Sequence, residues 1–142
     1  MALISGLPSQ CRDYKTLNET SRHYTKPVNY GSPKCDMTGH SNTSPQWRGE
    51  GWYRFTGAAG TKMATKSEVT RDGACVTGAS GHLDTNTHPD LLSGQSQDQK
   101  VCFYYHGTQC WRSTTVTIQE CEGFYIYKLP NTPLCYNRYC GA

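Results

Sequence analysis

Eight cysteines restrict the chemistry of this 142-residue chain more than any other residues do. Their number is even, and no two have the C-x-x-C spacing of many zinc and redox sites. In a chain rich in Gly, Ser, Thr and Tyr, this pattern predicts four disulfide bonds. The cysteines are Cys11, Cys35, Cys75, Cys102, Cys110, Cys121, Cys135 and Cys140.

Disulfide bonds also indicate where a protein works and which chemistry it lacks. They persist where the surroundings are oxidising, so we expect a secreted, extracellular protein. If every sulfur is oxidised, none remains as a thiolate nucleophile or a thiolate metal ligand. We therefore expect the cysteines to stabilise the fold and not to react.

Histidines and serines are weaker candidates for chemistry. His82 and His88 lie near Asp84 in a polar segment, which is better interpreted as a solvated loop than as a metal site. No serine has the G-x-S-x-G context of a hydrolase nucleophile, and residues 57–62 fit a tight turn better than a phosphate-binding loop. We expect no catalytic residue, no metal and no cofactor.

Two N-x-[ST] sequons make N-linked glycans candidate partners. They begin at Asn18 and at Asn42, and each is an acceptor in a eukaryotic secretory pathway. Pro45 follows the second sequon directly, so we expect Asn18 to be the better acceptor of the two.

Charge and composition limit the remaining partners. The formal net charge is +3 with both signs scattered along the chain, so we expect no nucleic-acid partner. No apolar run reaches the length of about 20 residues that a transmembrane helix needs. Only 35% of the residues are hydrophobic, so ten tyrosines and three tryptophans must supply much of a thin core. A sugar-stacking or partner-binding face is the alternative role for these aromatic side chains.

The pattern of apolar residues predicts a β-rich, small, disulfide-stapled domain of antiparallel strands and long loops, with at most one short helix. Alternating or β-branched runs predict strands over 51–55, 101–105, 113–119 and 124–129. A turn at 106–109 separates two of them and predicts a hairpin. Residues 11–23 are the best candidate for the short helix, and 77–99 have the composition of a long loop.

The first ten residues, MALISGLPSQ, form an apolar tail ahead of a single domain over residues 11–142. The apolar stretch is shorter than the core of a signal peptide and has no basic start. Two interpretations stay open, a remnant of a signal and a docking strand for self-association. In the second, the contacts come from Ala2, Leu3, Ile4 and Leu7.

Motifs in order along the chain carry a family resemblance. They are GWYRFxGxxGxxM from residue 51, THP from residue 87, CxGFYIYxL from residue 121, PxC from residue 133 and the final Tyr139-Cys140 pair. Together with the cysteines, they resemble the eight-cysteine extracellular domain of uromodulin and of the related pancreatic zymogen-granule glycoprotein. The resemblance extends from Cys11 to Cys140.

The resemblance implies a disulfide connectivity that spacing alone leaves open among 105 pairings. The implied pairs are Cys11 with Cys121, Cys35 with Cys135, Cys75 with Cys140, and Cys102 with Cys110. It also implies a non-catalytic module that bears glycans. In uromodulin, a position in the aromatic strand before Leu129 bears a glycan. That position is Lys128 here, so the glycan-bearing role does not transfer to it.

Two hypotheses about function follow. The first, which we favour, is a secreted, non-enzymatic structural module that forms the repeating subunit of an extracellular filament through its N-terminal tail. The alternative is an adhesion or glycan-presenting binding module of a larger secreted glycoprotein. The partners are then copies of the chain itself or another extracellular protein, with N-linked glycans.

Overall fold

The computed structural model describes residues 6–142. Within them, seven strands form one sheet in the order β1-β2-β6-β5-β4-β3-β7. The strands are β1 (Lys15–Leu17), β2 (Gly51–Phe55), β3 (Ala79–Leu83), β4 (Ser96–Tyr105), β5 (Thr108–Glu120), β6 (Tyr125–Leu129) and β7 (Asn137–Tyr139). Short 3-10 helices span Ser9–Cys11, Thr20–Arg22, Val28–Tyr30, Gly57–Ala59 and Ala74–Val76.

The prediction of a β-rich, disulfide-stapled fold is confirmed. The centre of the sheet is antiparallel, as expected, from β2 through β6, β5 and β4 to β3. The two outer pairs, β1 with β2 and β3 with β7, are parallel, which the sequence-based prediction did not include. Parallel pairs join segments far apart in the chain, and hairpin signals in a sequence do not reveal them.

The β4–β5 hairpin confirms the predicted turn. His106 and Gly107 form the turn and both have positive φ, 47° and 78°, which suits the twist of a two-residue hairpin. Both strands are longer than predicted, because β4 begins at Ser96 and β5 begins at Thr108 and ends at Glu120. The added residues of β4 are polar and mostly exposed, so they lack the apolar alternation that predicts a strand.

Two other predictions were wrong. Residues 11–23 contain β1, the 3-10 helix Thr20–Arg22 and the last residue of another, and Leu17 of β1 pairs with Phe55 and is fully buried in the sheet. The predicted loop over 77–99 contains the buried strand β3. Its sequence, ASGHL, lacks strand-forming residues, but small side chains are needed there. A Cβ on Gly81 would lie only 2.8 Å from the Phe103 ring.

Aromatic side chains fill the main core, as the composition predicts. Trp47 stacks on Tyr53 with ring centroids 4.7 Å apart, and Phe55 meets Tyr127 edge to face at 5.4 Å. A smaller apolar cluster covers the other face of the sheet around Cys11, Cys121 and Ile126.

Four disulfide bonds join all eight cysteines. They link Cys11 to Cys121, Cys35 to Cys135, Cys75 to Cys140, and Cys102 to Cys110. These pairs coincide with those that the family resemblance implies. Three of them close loops of 65 to 110 residues, where restricting the unfolded chain has its largest effect.

Candidate functional site

An aromatic groove crosses one end of the β4–β5 hairpin beside β7. Its cavity holds about 170 Å³. Its lining, which defines the groove from here on, is Gly78, Ala79, Tyr105, Trp111, Leu134, Cys135, Tyr136 and Asn137. Leu134 and Tyr136 are each 42% exposed, so two large apolar side chains here remain in contact with water. Exposed apolar side chains that gather around a concavity are typical of binding surfaces.

Covalent and polar contacts hold the walls of the groove in place. The Cys35–Cys135 bond fixes the residue directly before Tyr136. The Asn42 Nδ2 donates to the Tyr136 hydroxyl at 2.8 Å. On the opposite wall, the Tyr105 and Trp111 rings pack with centroids 4.5 Å apart. The groove is therefore formed before any ligand arrives.

Asn137 is the polar part of the lining. The residue is only 1% exposed, and its Nδ2 has no hydrogen-bond partner among the described residues. A buried amide nitrogen without a partner costs roughly 1–3 kcal/mol. Because the residue lines the groove, a rotation of its side chain towards the cavity would bring this donor within reach of an oxygen atom.

The groove lining contains no acidic side chain, lysine, arginine or histidine. The Arg112 guanidinium lies 4.2 Å from the Trp111 ring without lining the cavity. The lining of the first cavity is thus uncharged. A second cavity of about 250 Å³ shares Gly78 and Tyr105 with it and is also lined by Asp72 and His106.

A buried ionic cluster lies on the other side of β7. We define it as Glu19, Arg22, Asp36 and Arg138. The Arg22 guanidinium donates to both carboxylate oxygens of Asp36 at 2.7 and 3.0 Å, and both residues are fully buried. Arg138 and Arg22 each bind the Glu19 Oε1, at 3.2 and 3.1 Å. The Arg138 Nε has no partner among the described residues.

The charges of this cluster are balanced two against two. Burial disfavours the carboxylate of Asp36, but the charge and hydrogen bonds of Arg22 outweigh burial and lower the pKa of Asp36. Burial, with Arg22 nearby, lowers the pKa of Arg138 to about 10. Asp36 also accepts a hydrogen bond from the Tyr139 backbone N–H at 2.9 Å, so the cluster ties loops to β7.

The interpretation of a solvated loop is wrong for His82, and both candidate histidines contact neighbouring side chains. His82 is buried on β3, where its Nε2 lies 2.8 Å from the Gln109 Nε2. The His88 Nε2 lies 2.7 Å from the Tyr127 hydroxyl, which itself accepts the Met63 N–H. Burial lowers the pKa of both histidines, that of His88 to about 4. Among residues 6–142, no group of His, Cys, Asp and Glu is arranged to hold a metal ion.

The two sequons differ in their surroundings. Asn18 is exposed and its Oδ1 accepts a hydrogen bond from Gln46 at 2.6 Å, which leaves its Nδ2 without a partner among the described residues. Asn42 is half-buried, and its Nδ2 is held by Tyr136. The accessibility of Asn18 agrees with its choice as the better acceptor, and glycan attachment itself stays a prediction.

The structure describes one of the four predicted self-association residues. Ala2, Leu3 and Ile4 lie outside the described residues. Leu7 packs against the cluster of Cys11, Cys121 and Ile126 in its own chain. Nearby, the Gln10 side chain donates to Gln119 at 2.7 Å. The tail is therefore anchored from Leu7 onward.

One side of β5 is open along residues 112–116. β6 covers only Thr117–Glu120 of β5, and no described strand pairs with residues 112–116 on that side. The N–H and C=O of Glu120 both bond towards the β4 side, at Gln95 and Gly94. Because these groups alternate along a strand, those of Ser113 and Thr115 point to the open side. We call residues 112–116 the open edge.

The sequence did not reveal the groove. Its aromatic residues come from β4, β5 and the segment before β7, and only the fold brings them together. The abundance of Tyr and Trp was the available signal, and core packing explains most of those side chains.

The seven-stranded sheet and its four disulfide bonds define a small disulfide-stabilised β module. A family model of the uromodulin-like eight-cysteine domain matches residues 53–141. The chain belongs to this family.

Curated relatives agree with the family model. The chain is 35% identical over 132 residues to the pancreatic secretory granule membrane major glycoprotein GP2 of Canis lupus familiaris, which covers 92% of this chain and 23% of the relative. It is also 35% identical over 132 residues to uromodulin of Mus musculus, which covers 92% of this chain and 18% of the relative. The chain thus spans about a fifth of the length of these relatives. Among residues 6–142, no helix has both the length and the apolar composition needed to cross a bilayer.

Proposed function

We propose that this chain is a non-enzymatic structural module of the extracellular space that associates with copies of itself. Four disulfide bonds support an oxidising compartment. The relatives include a glycoprotein of the secretory granule membrane, which belongs to the secretory pathway. The open edge is the single observation that carries the self-association.

In this proposal, the apolar tail of one copy adds a strand to the open edge of the next. Ser113 and Thr115 offer main-chain donors and acceptors there, and such groups bind an extended segment in strand addition. The contact joins two different surfaces, so it does not close on itself and extends into a filament. The tail contributes Ala2, Leu3 and Ile4, and Leu7 anchors it to its own domain.

A substitution pair at Ser113 tests this assembly. Ser113→Pro removes the N–H that points to the open side and leaves the ladder to β4 in place. Ser113→Ala keeps that N–H and is the matched control. We expect electron microscopy and light scattering to find filaments of the wild type and of Ser113→Ala, and monomers of Ser113→Pro.

Deletion of residues 1–5 is the complementary test. It spares Leu7 and Gln10, which pack on their own domain, so the fold is retained. We expect monomers again. Mixing this variant with the Ser113→Pro variant should not restore long filaments, because the tail of the Ser113→Pro variant can bind the open edge of the deletion variant but no further copy can be added to that pair. Filaments of either variant alone would exclude tail-to-edge assembly.

A glycan-presenting module is the second candidate function. The exposed Asn18 Nδ2 supports it, because this atom would carry the sugar. Protein made in eukaryotic cells should lose mass on treatment with a peptide N-glycosidase. Asn18→Gln and Thr20→Ala should each abolish most of that loss, whereas Asn42→Gln should leave it nearly unchanged. Equal mass in all four proteins would contradict this function.

A further inference from the structure

The strongest unexplained feature of the molecule is the aromatic groove with its unpaired Asn137 amide. Self-association at the open edge does not use this amide, and the disulfide bonds do not require the exposure of Tyr136 and Leu134. We propose that the groove is a binding site for a neutral sugar ring, either a hexose or an N-acetylhexosamine.

The aromatic surface of the groove suits a sugar ring. Tyr136 is 42% exposed, and its hydroxyl is held by the Asn42 Nδ2 at 2.8 Å. A fixed, partly exposed ring suits the apolar C–H face of a pyranose, because little conformational freedom is lost on contact. Trp111 contacts Tyr105 on one side and Arg112 on another, so it acts as a wall and Tyr136 acts as the platform.

The amide of Asn137 offers a polar contact to the sugar. Its Nδ2 is a buried donor without a partner among the described residues, and the residue lines the groove. A half-turn of the side-chain amide exchanges nitrogen and oxygen, so Asn137 can donate to or accept from a ligand. The nitrogen is fully buried, so the side chain turns towards the cavity on binding, where a sugar hydroxyl or an acetamido carbonyl supplies the missing partner. An apolar side chain of a peptide ligand would leave the Asn137 amide without a hydrogen-bond partner.

The absence of charge in the groove lining disfavours an acidic sugar. The lining of the first cavity contains no ionised group, so an acidic sugar would lose its hydration without gaining a counter-ion. The volume of about 170 Å³ is below the range of roughly 300–1,000 Å³ that holds drug-sized ligands. These two properties favour a single uncharged ring, with the second cavity past Tyr105 open to a neighbouring residue of the glycan.

Nuclear magnetic resonance of the whole, oxidised chain tests the proposal. The probes are methyl mannoside, galactose and N-acetylglucosamine, with N-acetylneuraminic acid as the acidic sugar and a short leucine-rich peptide as the apolar competitor. We expect at least one neutral sugar to shift the Trp111 indole and the Asn137 side-chain amide signals at millimolar concentration. The indole signals of Trp47 and Trp52 should stay in place, because neither residue lines the groove.

Four variants locate the binding. Tyr136→Ala should weaken it about tenfold or more, which is about 1.4 kcal/mol. Tyr136→Phe keeps the ring and should weaken it only about twofold to threefold. Tyr30→Ala is the control, because Tyr30 is 52% exposed but does not line the groove, and it should bind as the wild type does. Asn137→Leu should lose binding while its thermal unfolding is unchanged.

Several results would overturn the proposal. One is that none of the three neutral sugars shifts these signals. Another is that only the acidic sugar or only the peptide binds. The third is that Tyr136→Ala binds the sugar as tightly as the wild type does. Self-association is separable from this test, because Ser113→Pro leaves the groove lining intact and should bind sugar normally. Monomers that bind sugar would refute the filament alone, and filaments that bind none would refute the sugar site alone.

Discussion

The two sides of β7 contain buried polar groups that differ in how well they are paired. Arg138 belongs to the ionic cluster, where Arg22 donates two hydrogen bonds of 2.7 and 3.0 Å to Asp36, and where the Arg138 Nε has no partner among the described residues. The preceding residue, Asn137, lies in the groove wall with an unpaired nitrogen. Burial is nearly complete on both sides, so burial alone does not indicate function. The charges of the cluster are matched by internal partners, whereas the Asn137 amide nitrogen in the groove wall has no partner among the described residues.

The largest expected effect comes from breaking the paired side. Asp36→Ala removes the acceptor of both Arg22 bonds and of the Tyr139 N–H, and leaves a buried cation without its partner. We expect the free energy of unfolding to fall by about 3–5 kcal/mol in urea titrations. Asp98→Ala is the control, since Asp98 is exposed and accepts one hydrogen bond from Thr117. A loss below about 1 kcal/mol for Asp36→Ala would mean that the cluster contributes little.

The second effect concerns the covalent wall of the groove. Replacing both Cys35 and Cys135 with Ala opens a loop with a sequence separation of 100 residues, against 8 for Cys102 and Cys110. Chain entropy gives losses of about 4.7 and about 2.6 kcal/mol for the two double variants. Thermal unfolding under oxidising conditions measures both. The reverse order would show that native-state contacts, and not loop length, dominate.

The third effect separates His88, which lies outside both sides, from the ionic cluster by the pH at which each loses stability. His88 has a pKa near 4 in the fold against an ordinary value of 6.5, so below pH 6.5 the unfolded chain binds a proton that the folded chain does not. Stability therefore decreases as the pH falls from 6.5 to 4, by about 1–3 kcal/mol for this partly buried ring. His82, whose pKa is also lowered by burial, acts in the same direction. His88→Gln should flatten this part of the curve.

The ionic cluster responds in a lower pH window. The folded pKa of Asp36 is below its ordinary value of 3.8, so its contribution is complete above that value and is lost as the pH falls through the folded pKa. Denaturant titrations between pH 7 and pH 2 should thus lose stability in two stages. A His88→Gln variant with the wild-type slope between pH 6.5 and 4 would contradict the assignment of the first stage.

The smallest effect on stability is expected on the unpaired side. Asn137→Leu removes an amide whose nitrogen is unsatisfied and replaces it with an apolar group of similar size. Because nothing is left unpaired, the free energy of unfolding should change by less than about 0.5 kcal/mol or increase slightly. Calorimetry measures the change. A loss of about 2 kcal/mol would mean that Asn137 has a structural partner after all, and would remove the contrast with Asp36.

Local signals in the sequence predicted the parts of the fold that depend on local chemistry. Strand β2 alternates aromatic and polar residues, and the β4–β5 turn carries Gly107 where positive φ is needed. Strand β3 has no such signal, because Gly81 is required only by the close approach of Phe103. The count of cysteines predicted four bonds, whereas their pairing came from the family resemblance.

The candidate site was beyond local reasoning for a similar reason. Asp36 and Arg22 look like ordinary surface charges until the chain returns through β7 and buries them. Tyr105, Trp111 and Tyr136 form a groove only after the hairpin and the Cys35–Cys135 bond bring them together. Side chains that meet through long-range contacts leave no periodic pattern that a reading of one sequence can detect.

The order in which the cysteines occur has a consequence for biosynthesis. Cys11, Cys35 and Cys75 each pair with a residue in the last quarter of the sequence, at Cys121, Cys135 and Cys140. During translation their thiols must therefore wait for partners that follow 65 to 110 residues later in the chain. Cys102 and Cys110, separated by 8 residues, can join first. Nascent chains stalled ahead of residue 121 would carry three thiols with no native partner, and would depend on oxidoreductases to keep them from pairing wrongly.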